Sequence, residues 1–406
     1  MLAAADTSRV QVVLLDALRD HLGVVHGLAD GGHYDPVTVS CGPGTSLRYS
    51  RKCRHLTIAD WRWDRGSEQL TSHFADAPHT VLLPVSIRAV EWAVRNQEML
   101  RQQWKLIPLP SPCDFDIAKD KLRLANLAQD AGLPVPPFAP LAELAESDAQ
   151  GLSFPVLLKP RCGYGGSGIV RVETQRALEE QLLGMTTMQN YFAQTVIEGQ
   201  DLSCGVFCRD GEVLASVPYV PLAREGHFGR FTSIETVDDP DVEQIVGRLM
   251  KALRWNGIAN IDLIRSRQGD TYILEVNPRC WANMAAVIPL GLDFAGMLCQ
   301  AALGRAMPSQ RCRRGRVFGA LDTIALLRAT IFDRTLRRQL GWQRILSNES
   351  LLRTTVLDPF PWLAEVFRYG LIRGARSMLG QLRRHSLPAL ERSCAVACGS
   401  YADAIG

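Results

Sequence analysis

No uninterrupted apolar run of about 18 residues occurs in this 406-residue chain, so no membrane-spanning helix is expected. The N-terminus lacks a basic start followed by an apolar stretch of signal-peptide length. No CxxC pair occurs among the 11 cysteines. The two CxxxC spacings, Cys204/Cys208 and Cys394/Cys398, have no histidine neighbours, so neither zinc nor a disulfide framework is expected. Reduced core cysteines in a cytoplasmic protein fit better. Lysine is missing from residues 311–406, which nevertheless hold 16 arginines against 7 acidic groups. The formal net charge of the whole chain is only +3, so a basic tail follows a body that is acidic on balance. Such a tail implies contacts of its own. No glycine-rich fingerprint follows the first strand-like run, residues 9–15, where Asp16-Ala17-Leu18-Arg19 stands instead. That excludes dinucleotide binding at this place. Internal repeats and long low-complexity segments are also absent.

What is present describes a globular protein: 47% apolar and 21% charged residues. The length predicts two or three packed units. Strand-like runs at 9–15, 36–39 and 80–83 alternate with helical periodicity at 18–28 and 90–104, which predicts a small parallel α/β layer. Pro108, Pro110 and Pro112 mark a boundary. A helix is expected over 119–131, closed by Gly132 and the prolines at 134, 136 and 137. Further strands are expected at 154–159, 168–173, 191–197, 202–208 and 212–220. A helix at 241–253 precedes a hairpin over 258–277. Beyond Leu290-Gly291 the pattern is mainly helical.

Two segments carry chemistry. The first, residues 157–170, has four glycines in six positions: Gly163, Gly165, Gly166 and Gly168, with Ser167 between them. Glycine permits positive φ and lets successive N–H groups converge on one anion, as triphosphate oxygens require. The string continues as a strand, which excludes a Rossmann turn, and no VAIK-, HRD- or DFG-like segment follows. A β-hairpin flap with a buried-looking Lys159 on its first strand remains, against the alternative of an ordinary surface turn.

The second segment is the hairpin over 258–277. A two-residue turn at Gln268-Gly269 would pair Asp262 with Glu275, Asn260 with Asn277, Ile261 with Val276 and Leu263 with Leu274. One face is then apolar and the other carries two carboxylates and two amides. Facing like charges destabilise a sheet unless compensated. A divalent cation compensates them, and an Asp/Glu/Asn oxygen set suits Mg²⁺ shared with phosphates. Arg279 adds a cation beside the acidic face.

In order along the chain these segments resemble the ATP-grasp superfamily, over roughly residues 9–305. The resemblance implies an α/β and α+β protein: an N-terminal Rossmann-like pre-ATP-grasp domain (1–110) and a two-lobed ATP-grasp fold (111–310). The flap lobe would span about 118–193 and the metal-hairpin lobe about 194–310. A basic, mainly helical C-terminal region would fill 311–406. Asp120-Lys121 and the helix after it resemble the family's first phosphate motif, with Lys121 on ATP phosphate. Lys159 is then the second phosphate lysine, and Gly163, Gly165, Gly166, Ser167 and Gly168 form the flap. Residues 194–201 resemble the adenine hinge, with Gln194, Val196 and Ile197 at the base and Asp201 at the ribose. The family usually has glutamate where Gln194 stands. Asp262, Glu275 and Asn277 would hold Mg²⁺, or Mn²⁺ in its place.

The implied chemistry is phosphorylation of a carboxylate by ATP and transfer of the acyl group to an amine, releasing ADP and phosphate. Arg279, Arg230 and Lys159 are the catalytic candidates, with His227 as a weaker one in the loop 224–232. Trp281 and Asn283 either line the acceptor pocket or, for Trp281, belong to the core. Alternatives are a bicarbonate-using carboxylase or carbamoyl-phosphate type enzyme, and a non-catalytic ATP-binding regulatory protein. Partners are expected to be small-molecule carboxylate and amine substrates, with a homodimer common in the superfamily and no nucleic acid. In residues 360–384, Leu363, Val366, Phe367, Leu371 and Leu379 share a helical face. It either packs on the body or meets a protein or the inner membrane surface.

Overall fold

The computed structural model describes residues 9–41, 45–58, 79–144, 152–163, 165–183, 185–224, 231–307 and 310–319. It also describes 352–364 and a few single positions. The first layer is a parallel five-stranded sheet. Its strands are β1 (Val10–Leu15), β2 (Tyr34–Cys41), β3 (Arg54–Ile58), β4 (Val81–Pro84) and β5 (Lys105–Leu106). The order β3-β2-β1-β4-β5 puts the change of direction between β1 and β4. Val12–Leu15 and the whole of β4 are buried, as expected for parallel strands covered on both faces.

Helical periodicity over 90–104 resolves into two helices, Ile87–Arg95 and Gln97–Gln103. The break falls at Asn96, whose backbone leaves the helical region and whose Nδ2 donates to Trp92 O at 2.9 Å. The expected helix over 119–131 begins at Lys121, because Asp120 caps it through Leu122 N and Arg123 N at 3.0 and 3.3 Å.

The second sheet is antiparallel, ordered β6-β9-β7-β8. Its strands are β6 (Phe138–Pro140), β7 (Val156–Pro160), β8 (Val170–Val172) and β9 (Tyr191–Thr195). The third and largest has six strands, ordered β14-β13-β10-β11-β12-β15. These are β10 (Gly199–Arg209), β11 (Glu212–Arg224), β12 (Phe231–Thr236), β13 (Gly257–Ser266), β14 (Thr271–Asn277) and β15 (Arg316–Val317). The strands β3, β5, β6, β12 and β15 were not anticipated. Beyond Gly291, where the pattern is mainly helical, β15 adds a short strand that pairs with the edge of the sheet at Ile234 and Glu235.

The hairpin register is also corrected near its loop. Arg265 pairs with Thr271, Ile264 with Tyr272 and Leu263 with Ile273, so the loop is longer than two residues. A bulge at Leu274 then restores Asp262 opposite Glu275 and Asn260 opposite Asn277. Ile261, Leu263, Ile273 and Val276 are buried, while Leu274, expected to pair with Leu263, is only half-buried.

The parallel layer packs closely on the segment that follows the large sheet's β14. A Cβ on Gly23 would lie 2.6 Å from Ala285 Cβ, so only glycine lets the helix Leu22–Asp30 approach the turn Met284–Leu290 that follows β14. Trp281 meets Phe294 edge-on at 5.2 Å and is buried, which settles it as core. Cys204, Cys208, Cys280 and Cys299 lie in the same core. No single described helix is long and apolar enough to cross a membrane; Met284–Leu290 with Phe294–Ala302 passes only as a pair bent by 97°, and most of its residues are core.

Candidate active site

The centre is built on β13 and β14. Strand alternation puts Asp262 and Glu275 on one face, opposite the apolar face that seals the core. Asp262 Oδ1 accepts from Ser203 Oγ at 2.6 Å and Asn260 Nδ2 at 2.8 Å; its Oδ2 accepts from Asn277 Nδ2 at 2.9 Å. Asn260 is itself oriented by Tyr219, whose hydroxyl donates to Asn260 Oδ1 at 2.7 Å. Glu275 Oε1 accepts from Asn277 Nδ2 at 3.2 Å, and Glu275 Oε2 lies 3.2 Å from Lys121 Nζ.

Two half-buried carboxylates this close do not share charge equally. Burial, and next to it the charge of Glu275, push Asp262 up to about 7. Burial works against Glu275 as well, but Lys121, the bond to Asp262 and Lys159 outweigh it and hold Glu275 below its ordinary value. The pair is therefore short of positive charge. Its hard oxygen donors fit Mg²⁺, with Asn277 contributing Oδ1 once its amide is turned about the terminal bond. Among the described residues no group of three or more His, Cys, Asp or Glu side chains gathers at one place, so a metal here would rest on these two carboxylates and an amide.

Lys121 joins this centre to the flap. Its Nζ also donates to Gly163 O at 2.7 Å. The base of the flap is tied to the same helix, because Arg161 grips the cap residue Asp120 (Nη2 to Oδ2, 2.6 Å) and Lys121 N donates to Arg161 O at 2.8 Å. Gly163, Gly165, Gly166 and Gly168 all have positive φ, from 68° to 134°, so the loop depends on glycine. Ser167, between the last two, is exposed.

Lys159 on β7 is buried and donates to Gln194 Oε1 on β9 at 2.6 Å. Burial lowers its pKa to about 8, Glu275 opposing and Lys121 reinforcing the shift. Past Gln194 the chain crosses from the small sheet to the large one. Val196 N is engaged by Pro155 O at 2.9 Å, Ile197 follows, and Asp201 on β10 is paired with Arg224. Arg279 follows β14 and donates to Cys280 O at 2.9 Å. Arg230 and His227 lie outside the described residues.

Sequence reasoning missed the far wall. Asp16 follows β1 with φ of 59°, unusual for a residue with a side chain, and accepts from Ser86 Oγ at 2.5 Å just past β4. Arg88 lies 3.3 Å from it. These residues sit at the carboxyl ends of the strands where the sheet changes direction, the place where open α/β sheets form ligand crevices. Nearby, His21 accepts Leu18 N–H on Nδ1 at 3.0 Å. Burial lowers its pKa to about 4, with Arg279 adding to the effect, so it is neutral with its proton on Nε2. An acid after a first strand was the only available signal, and it was read merely as the absence of a glycine fingerprint.

Residues 118–283 match the family model of the ATP-grasp domain. The chain carries an ATP-grasp domain. It is 27% identical over 214 residues to the carbamoyl phosphate synthase large chain of Thermomicrobium roseum, covering 50% of this chain and 20% of that one. To the D-alanine–D-alanine ligase of Neisseria meningitidis it is 25% identical over 196 residues, covering 45% of this chain and 64% of that one. The chain thus spans about a fifth of the synthase and under two thirds of the ligase.

Two solved structures share the ATP-grasp fold. The biotin carboxylase domain of Hydrogenobacter thermophilus 2-oxoglutarate carboxylase, a dimer in complex with MgADP and bicarbonate, superposes with TM-score 0.59 at 17% identity, covering 76% of this chain and 74% of that one. The L-amino acid ligase of Bacillus licheniformis gives 0.55 at 17%, covering 73% and 74%. The chain is thus similar in sequence to a carbamoyl phosphate synthase and a D-alanine–D-alanine ligase, and in fold to a biotin carboxylase domain and an L-amino acid ligase.

Proposed function

We propose that this chain is an ATP- and Mg²⁺-dependent ligase that phosphorylates a carboxylate and transfers the acyl group to an amine, releasing ADP and phosphate. The observation that carries this reading is one continuous polar line. It runs from Asp262 and Glu275 through Lys121 to the glycine flap; Lys159, close enough to feel the charges of Glu275 and Lys121, extends it to Gln194 at the hinge.

A carboxylate is a poor acyl donor until one of its oxygens is phosphorylated, and positioning with charge neutralisation does most of that work. Lys121 is placed to leave Glu275 for an incoming phosphate. Lys159, buried and held by a neutral amide, keeps its charge available to a second phosphate oxygen. The flap glycines offer backbone N–H groups and cover the site from water. Mg²⁺, held by Asp262, Glu275 and Asn277, supplies positive charge against the β- and γ-phosphates. Arg279 and the neutral His21 stand on the substrate side, one as a cation and the other as a donor for the substrate's carboxylate oxygens. Asp201 at the ribose requires Arg224 to share it.

In this reading residues 1–110 help hold the acceptor or carboxylate, 111–310 carry the chemistry and 311–406 form a basic region. A homodimer and a cytoplasmic location accompany it. Arg230 remains a candidate substrate contact. The test is ADP release with Mg²⁺-ATP across a panel of carboxylates and amines, with hydroxylamine added to trap the acyl phosphate as a hydroxamate. Dependence on both a carboxylate and an amine supports the reading.

Bicarbonate in place of an organic carboxylate is the second reading, favoured by the carbamoyl phosphate synthase relatives and the bicarbonate-bound neighbour. ADP release with bicarbonate alone, indifferent to amines, would establish it over the first.

A further inference from the structure

Gln194 is 2% exposed, and among the described residues only its amide oxygen is engaged. Its Oε1 takes the Lys159 ammonium at 2.6 Å. An ammonium only donates, so the amide must face it with oxygen, and this contact fixes which way the amide is turned. The Nε2 group therefore points away from Lys159 as an obligate donor, and no acceptor among the described residues takes it. The charges of Glu275 and Lys121, the phosphate end of the polar line, also act on Lys159. Gln194 thus stands at the opposite end, beside the crossing between the sheets, where a nucleotide laid along that line would place its base.

The Nε2 donor cannot receive the 6-amino group of adenine, which could reach only the second lone pair of an Oε1 already held by the Lys159 ammonium. It can be received by a purine acceptor, the 6-oxo oxygen or N7. A carboxylate at the same position would do the reverse, accepting an amino group and repelling an oxo group. We infer that Gln194 meets the purine edge as a hydrogen-bond donor, so that the nucleotide site takes a 6-oxo purine triphosphate nearly as well as ATP. The inference rests on the nucleotide reading of the cleft proposed above.

Inosine triphosphate is the suitable probe, since it replaces the 6-amino group of ATP by an oxo group, with N1 turned from acceptor to N–H donor, and leaves N7 and the triphosphate unchanged. Titration calorimetry of the full chain with each triphosphate and Mg²⁺ is expected to give dissociation constants within about tenfold of each other. In Gln194→Glu, which sets a carboxylate against the Lys159 ammonium and so remains charge-compatible, the preference for ATP should rise by at least about tenfold. If ATP binds and inosine triphosphate is rejected by more than about a hundredfold, or if the ratio is unmoved in the folded variant, the inference is overturned and the nucleotide reading stands. Should neither triphosphate bind, both fall together. If the variant does not fold, the ratio in the unaltered chain decides alone.

Discussion

Lys121 and Glu275 are far apart in sequence yet lie 3.2 Å apart, with the same ammonium donating to the Gly163 carbonyl at 2.7 Å. One side chain thus links the phosphate loop to the acidic face of the hairpin. Lys121→Met is expected to remove one charge-assisted contact worth about 1.5–3 kcal/mol. Nucleotide binding should weaken about 10- to 100-fold in a titration with Mg²⁺-ATP. Unchanged affinity would place the triphosphate elsewhere.

His21 makes folding sensitive to acid. Its folded pKa is lowered from 6.5 to about 4, so above 6.5 the proton count is the same in both states. Below that value the unfolded chain takes up a proton the folded one refuses, and stability falls until about pH 4. The loss from this group is roughly 3 kcal/mol, on the usual conversion of pKa into free energy. Urea denaturation at several pH values from 7.5 to 4 should show a shallower decline in His21→Gln than in the unaltered chain. Parallel curves would mean that His21 is not buried as a neutral ring.

The C-terminal segment docks through Asp358, which is fully buried beneath the helix Leu352–Leu357. Its carboxylate accepts from Ser50 Oγ and from Arg51 N at 3.2 Å, and lies 3.3 Å from His26 Nε2. Arg51 also stacks over Phe360 at 4.7 Å. Asp358→Ala leaves the buried His26 and the half-buried Ser50 without their acceptor, a cost of about 3 kcal/mol, and should lower the melting temperature by several degrees. Leu363 and Phe367 remain exposed on this segment, whereas Val366, Leu371 and Leu379 lie outside the described residues.

Gly199 opens β10 just after the hinge, and a Cβ there would sit 1.8 Å from the Arg265 carbonyl oxygen. The obstacle is backbone, so it cannot swing aside. Gly199→Ala should part the first rungs of β10 and β13 and destabilise the chain by roughly 1–3 kcal/mol, read as a lower urea midpoint. No change in midpoint would show that the strand end yields freely.

Local patterns were legible in the sequence and contacts across the fold were not. The alternation over 260–263 and 274–277 was enough to put Asp262 and Glu275 on one face. Their registration, however, owes as much to the bulge at Leu274 as to the turn, and a bulge has no sequence signature here. The four flap glycines announced positive φ correctly. By contrast, Ser203 and Tyr219 reach the acidic face only because β10 lies between β13 and β11. Likewise Gln194 reaches Lys159 only because β9 pairs with β7. His21 and Asp16 join the cleft through packing of one layer on another, which periodicity along a single chain does not encode.

The most direct measurement is ADP formation from Mg²⁺-ATP with the best carboxylate and amine pair, comparing the unaltered chain with Glu275→Gln. The expected result is a loss of at least about a hundredfold in turnover, the size typical of removing one electrostatic contact to the transition state, with the fold retained by circular dichroism. Equal turnover in the two proteins would contradict the assignment of the facing carboxylates and, with it, the account of this site as the place of phosphoryl transfer.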